Sequence, residues 1–234
     1  MSPVLAQVEI RDRSEDSCVA DNGLCPDWIV DNFDRYTDPF FEHVVLTVVA
    51  VAIGFAIAFS LALVAYRRRW LINPVTQVTG ILYTVPSVAA FFLLLPITGR
   101  GFVTATVALV AYVLLIIFRN VLAGLDNVPA ETKDAGRGMG LTDGQLLWRV
   151  EVPLALPEIM AGLRIAATTT VGLATLAFFA GAGGLGGQIF ADITFKSNVV
   201  VAGGLAVVLA AVLDALILLA QRAVTPWTRA AAAR

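Results

Sequence analysis

The chain has 234 residues, of which 58% are hydrophobic and only 15% charged, with a formal net charge of −2 and a mean hydropathy of +0.81. Soluble domains of ordinary composition carry about 25% charged residues, so a soluble globular fold is excluded. An all-α membrane protein is expected, because helices satisfy their own backbone groups in lipid.

In chain order, residues 1–42 form an acidic, polar segment, with Asp12, Glu15, Asp16, Asp21, Asp27, Asp31, Asp34, Asp38 and Glu42 among its carboxylates. It lacks the charged start, apolar middle and small-residue cleavage site of a signal peptide and reads as a retained external tail. Cys18 and Cys25 are the only cysteines. On the external side they meet an oxidising compartment, and a closed loop with Asn22-Gly23 at its turn is geometrically reasonable. A disulfide is expected, against the alternative of two free thiols. Trp28, Ile29, Phe33, Tyr36, Phe40 and Phe41 suggest a short amphipathic helix at the outer interface. Plain membrane anchoring and contact with a binding protein both remain open for it.

Apolar runs then fall at His43–Tyr66, Val75–Ile97, Phe102–Gly124, Glu158–Ala182 and Val199–Ala220, each near the ~20 residues a spanning helix needs. Five spans are expected, making 43–220 the transmembrane domain and 221–234 a C-terminal tail. Arg67, Arg68 and Arg69 follow the first span, Lys133, Arg137 and Arg149 lie in the long polar loop 125–157, and Arg222, Arg229 and Arg234 follow the last span. Basic residues beside spans stay in the cytoplasm. An odd span count collects all of these on one side, so the N-terminus is expected outside and the loop and C-terminus in the cytoplasm.

Within the loop, Pro129 suits a first helical turn, with Glu131 and Asp134 near its positive end. Gly136, Gly138 and Gly140 are expected to break or bend the chain. Thr142 and Gln145 form a capping box for a second helix, which should end before Pro153. Ala135, Met139, Leu141, Leu146, Leu147 and Val150 give these two helices an apolar surface that a groove on a partner could bury. An interfacial helix pair packed on its own bundle is the alternative.

Charge inside a span costs on the order of 2.5–3.5 kcal/mol at the centre. Arg119, Arg164 and Asp214 fall at similar depth near the inner ends of their spans, and Asp214 is expected to pair with Arg119 or Arg164, unless each arginine snorkels to the surface. The glycine run 181–187 lacks the Lys-Ser/Thr ending of a phosphate-binding loop and reads as a close-packed bend or a flexible connection. No carboxylate occurs between His43 and Leu125, and no broken-helix site is plain, which weakens an ion-coupled carrier. The sole histidine, His43, has no partner for intramembrane catalysis, so no catalytic residue and no metal site are expected.

Asp134-Ala135-Gly136, then Gly140, then Val150-Glu151-Val152-Pro153 resemble the EAA loop of binding-protein-dependent ABC importer permeases, with Asp in place of Glu and Gly in place of the second Ala. Further matches are Leu82-Tyr83-Thr84-Val85-Pro86-Ser87 and Leu154 through Arg164, which look like permeases for glycine betaine, carnitine, choline and proline. The resemblance runs from about Glu42 to Ala220. It implies a MetI-like core and transport driven by ABC ATPase subunits, which bind ATP and Mg; this chain itself holds no cofactor. It also implies a second permease subunit, identical or related, and an extracytoplasmic substrate-binding protein, in a bacterial or archaeal inner membrane with lipid around it and no nucleic-acid partner. The ATPase-docking residues so implied are Asp134, Ala135, Gly136, Met139, Gly140, Leu141, Leu146, Val150 and Pro153. For a quaternary ammonium solute, Tyr83 is the aromatic residue expected on the path. A stand-alone carrier or channel, or an ABC permease for another substrate, is the alternative.

Overall fold

The computed structural model describes residues 17–227. Asp12, Glu15, Asp16, Arg229 and Arg234 lie outside the described residues. Among the described residues there are helices and turns and no strand.

The outer segment folds as α1 (Ser17–Ala20), α2 (Pro26–Asp31) and a 3-10 turn (Phe33–Tyr36). Cys18 and Cys25 are joined by a disulfide with their Cα atoms 5.8 Å apart. The aromatic stretch is therefore not one amphipathic helix: Phe40 and Phe41 already belong to α3 (Thr37–Arg67), which is helical six residues before the first expected span. The segment is also bound to the bundle. Cys25 N–H donates to Ser197 Oγ (2.8 Å), the Tyr36 hydroxyl donates to Asn198 Oδ1 (2.8 Å), and Trp28 meets Phe195 edge-on at 4.6 Å.

After α3 come α4 (Ile72–Thr84) and α5 (Ser87–Thr98), bent by 99° at their junction. Pro86 explains the bend, because it lacks an N–H and holds the preceding residue extended. The run expected as one straight span is thus a broken one. The Val85 carbonyl freed there accepts from the Tyr112 hydroxyl, so the break leaves that oxygen satisfied. α6 (Phe102–Asp126) returns across the bundle.

α7 (Ala130–Gly138) and α8 (Asp143–Leu146) form the long loop. A π-helical turn (Leu147–Glu151) then leads into α9 (Val152–Ala174), followed by a 3-10 turn (Ala177–Ala180), α10 (Leu185–Ala191) and α11 (Lys196–Val224).

Phe33–Arg67, Phe102–Asp126 and Lys196–Val224 are long and apolar enough to cross a membrane, and the bent pair Arg69–Thr84 with Ser87–Thr98 is a fourth candidate. α9 has the length, at 23 residues, but carries Glu158, Arg164 and three consecutive threonines.

The core is where α3, α6 and α9 pack, with α11 against α9. Ala50, Gly54, Ala58, Ala62 and Ala65 recur at helical spacing along one buried face of α3. Small residues let backbones approach closely, which drives helix association where lipid removes the hydrophobic difference. A Cβ on Gly54 would come within 2.5 Å of Val113 Cγ1 on α6. The glycine run is likewise a close-packed bend. Gly181, Gly183 and Gly184 have positive φ, and the Glu42 carboxylate accepts from Gly184 N–H at 2.9 Å. A Cβ on Gly186 would collide with the Thr175 carbonyl.

Candidate functional site: the polar loop and its anchor

Thr142 caps α8 as the sequence implies: its hydroxyl accepts from Gln145 N–H (3.4 Å), while Gln145 Oε1 accepts from Thr142 N–H (3.0 Å). The elbow before it differs from the expected triple-glycine break. α7 runs through Gly136 and Gly138, and Gly140 alone turns the chain, with φ +83°. Leu141 N–H donates to the Gly136 carbonyl (3.2 Å) and Gly140 N–H to the Arg137 carbonyl (2.9 Å). This double closure satisfies the last carbonyls of α7 and needs a left-handed residue only at Gly140. Gly136 stays helical for a packing reason: a Cβ there would sit 2.6 Å from Leu146 Cδ1.

The second loop helix does not stop before Pro153. The chain continues through the π turn into α9, with Pro153 in that helix's first turn. The wider hydrogen-bond ring of the π turn just before Pro153 accommodates a residue that lacks an N–H and would otherwise interrupt the helix.

The expected apolar surface is divided between inside and outside. Leu146 and Leu147 are buried within the loop, Leu141 and Val150 are half-buried, and Ala135 and Met139 face outward. Met139, at 76% exposure, faces outward, whereas Trp148, which sequence reasoning passed over, is 56% exposed and lies against the bundle, its ring 6.3 Å from that of Phe59 on α3. Asp134 is exposed and pairs with Arg137 one turn along (3.2 Å).

The loop is held by a polar cluster that the sequence did not single out. Lys133 Nζ donates to the Tyr66 hydroxyl (2.9 Å) and to the Leu125 carbonyl (3.1 Å), and lies 4.0 Å from Glu151 Oε1. The Tyr66 hydroxyl donates to Glu151 Oε1 (3.1 Å). Tyr66 ends α3, Leu125 ends α6, Lys133 is on α7 and Glu151 closes the π turn before α9. One partly buried network therefore joins the loop to three long helices. Its signal in the sequence is Glu151 alone between Val150 and Val152, with Lys133 the single lysine of the loop.

Deeper along α9, Arg164 and Asp214 of α11 form a two-pronged pair, Nε to Oδ1 and Nη2 to Oδ2, both 2.7 Å. Parallel donors of a guanidinium match a carboxylate in this way. Of the two candidate partners for Asp214, Arg164 takes the contact, and Arg119 is exposed on α6. Tyr83 lies just before the broken-span junction, 40% exposed, with its ring 5.9 Å from that of Tyr112.

Residues 41–230 match the family described as binding-protein-dependent transport system inner membrane component. The choline transport system permease protein OpuBB of Bacillus subtilis (strain 168) is 36% identical over 188 residues, covering 80% of this chain and 87% of that protein. The osmoprotectant import permease protein OsmW of Salmonella typhimurium is 36% identical over 206 residues, covering 85% and 96%. Among solved structures, an inward-facing MetNI methionine ABC transporter matches with a TM-score of 0.69 at 25% identity, over 82% of this chain and 94% of that one. The helical bundle, the polar loop between α6 and α9, and these likenesses agree: the chain belongs to the family of binding-protein-dependent transport system inner membrane components and is a multi-pass permease of the inner membrane, leaving ATP hydrolysis to a separate subunit.

Proposed function

We propose that the chain is the permease subunit of an ATP-driven importer for a compatible solute such as glycine betaine, choline, carnitine or proline. The named substrates of the similar permeases support this class. Family membership carries the coarser statement, that a separate ATPase and an extracytoplasmic binding protein are partners. The finer reading is ours. The loop 125–157 faces the cytoplasm and seats an ATPase subunit that binds ATP and Mg. The external segment and C-terminal tail lie on opposite sides of five spans, counting the bent pair as one and α9 as another. A second permease, identical or related, completes the pathway, and Tyr83 lines it at the break in the second span.

The observation that carries the docking reading is the pairing of exposed Ala135 and Met139 on the loop with the partly buried Lys133–Tyr66–Glu151 network that ties the loop to the bundle. A partner that moves the outer face moves the ends of α3, α6 and α9 with it. The test replaces Ala135 and Met139 by glutamate in the assembled transporter. Loss of both ATPase co-purification and glycine betaine uptake, with membrane insertion unchanged, is expected. Normal uptake by the double variant would remove the loop from coupling.

A further inference from the structure

Between the end of α3 and the polar loop lies a cavity of about 480 Å³ lined by Arg67, Arg69, Lys133, Arg137, Asp143 and Glu151, together with Tyr66 and two leucines. Its charge is unevenly committed. Lys133 and Glu151 are held by each other and by the Tyr66 network. Arg69 pairs with Asp126 and Arg137 with Asp134, but these arginine side chains are 56% and 57% exposed. Exposed ion pairs contribute little, so both guanidiniums can turn to a stronger anion at little cost. Arg67 reaches over the first turn of α8, its Nη2 3.9 Å from where a Cβ on Gly144 would stand. Asp143 is the one lining carboxylate outside the Lys133 network to oppose an anion.

The level of the cavity is fixed by its neighbours. The apolar run of α3 ends in Arg67-Arg68-Arg69-Trp70, with Trp70 70% exposed. A basic and aromatic end to a spanning helix lies in the headgroup layer of a bilayer, and basic pockets between helices at that layer suit anionic headgroups. We propose that this cavity binds a phosphate group, held by Arg67, Arg69 and Arg137, and that the bound phosphate bridges the end of α3 to the polar loop. The phosphate can come from an anionic phospholipid or be free in solution. The site stands on the cavity, its arginines and its depth, whatever solute the chain carries.

The test is thermal unfolding of the purified full chain in uncharged detergent, titrated with phosphatidylglycerol, phosphatidylcholine or inorganic phosphate. The variants are Arg67→Gln, Arg137→Gln and the pair together, with Arg68→Gln as an equal loss of charge outside the cavity. Each chain is referred to its own unliganded midpoint, so a destabilised variant still reports. Phosphatidylglycerol should raise the midpoint of the wild type. Its apparent affinity should fall roughly fivefold per arginine removed and about twenty-five-fold for both, and Arg68→Gln should match the wild type. A response to inorganic phosphate as well identifies the free anion as sufficient; a response to phosphatidylglycerol alone identifies the lipid. Equal responses from the wild type and the double variant overturn the proposal, as does an equal loss in Arg68→Gln, which would mean diffuse attraction. The proposal also fails if the double variant keeps its lipid response and loses ATPase association, because the cavity then receives an acidic side chain of that partner.

Discussion

Glu151 stands in an aliphatic run and is 6% exposed, yet two groups from other helices converge on its carboxylate. Removing it leaves the partly buried Lys133 ammonium against a hydroxyl and a carbonyl without this counter-charge. A buried polar group deprived of its partner costs about 1–3 kcal/mol. Glu151→Ala should therefore lower the unfolding midpoint of the solubilised chain, and Glu151→Gln, which keeps an acceptor for Tyr66, should recover part of the loss. Equal midpoints for the two variants would show that the hydrogen bond contributes nothing. The sequence exposed the Arg164–Asp214 pair more readily than this cluster, because a charge far inside an apolar run announces its cost. Lys133 and Glu151 sit in a loop full of charges, where burial cannot be seen until the chain is folded.

At the scale of elements, α3 and α6 meet where Gly54 faces Val113. Gly54→Ala forces the Val113 side chain to move, and overpacking of this kind costs about 1–3 kcal/mol. Val113→Ala removes the obstructing methyls, so the double variant should be more stable than Gly54→Ala alone in a double-mutant cycle. An additive result would place the strain elsewhere. Helix existence was legible from apolar runs, and the capping box fixed the start of α8 because Thr142 and Gln145 bond locally. Three features were not legible. Gly136 stays helical because Leu146 covers it, a contact ten residues away. Proline in Pro86 and Pro153 reads alike, yet one breaks a helix and the other begins one, depending on whether the preceding turn can supply a wider ring. The extension of α3 back to Thr37 depends on Tyr36 and Glu42 finding Asn198 and Gly184 far along the chain.

Across the whole molecule, the disulfide loop and α2 lock onto the start of α11 through Ser197, Asn198 and Phe195. The family match begins at residue 41, so the N-terminal half of this outer clamp lies before the region shared with that family, and its α11 half lies within it. A loop this short restricts the unfolded chain by about 2 kcal/mol in the chain-entropy description. Cys18→Ser should lower the midpoint by a corresponding few degrees under non-reducing conditions. It should also speed amide exchange at the first turn of α11 while leaving the loop 125–157 protected as before. Unchanged exchange at Lys196–Asn198 would mean that the clamp holds without the disulfide. The family and the loop were readable because their residues lie close together in sequence, whereas the clamp joins positions more than 160 residues apart.

The π turn at Leu147–Glu151 joins α8 to α9 with no loop between Asp143 and Ala174. At about 1.5 Å per residue this unbroken helical run has a contour of roughly 45 Å, with the Glu151 contact to Lys133 near one end and the Arg164 fork farther along. A push on the loop is thus passed into the bundle through continuous helix rather than absorbed by slack, which makes this run the crankshaft of the molecule.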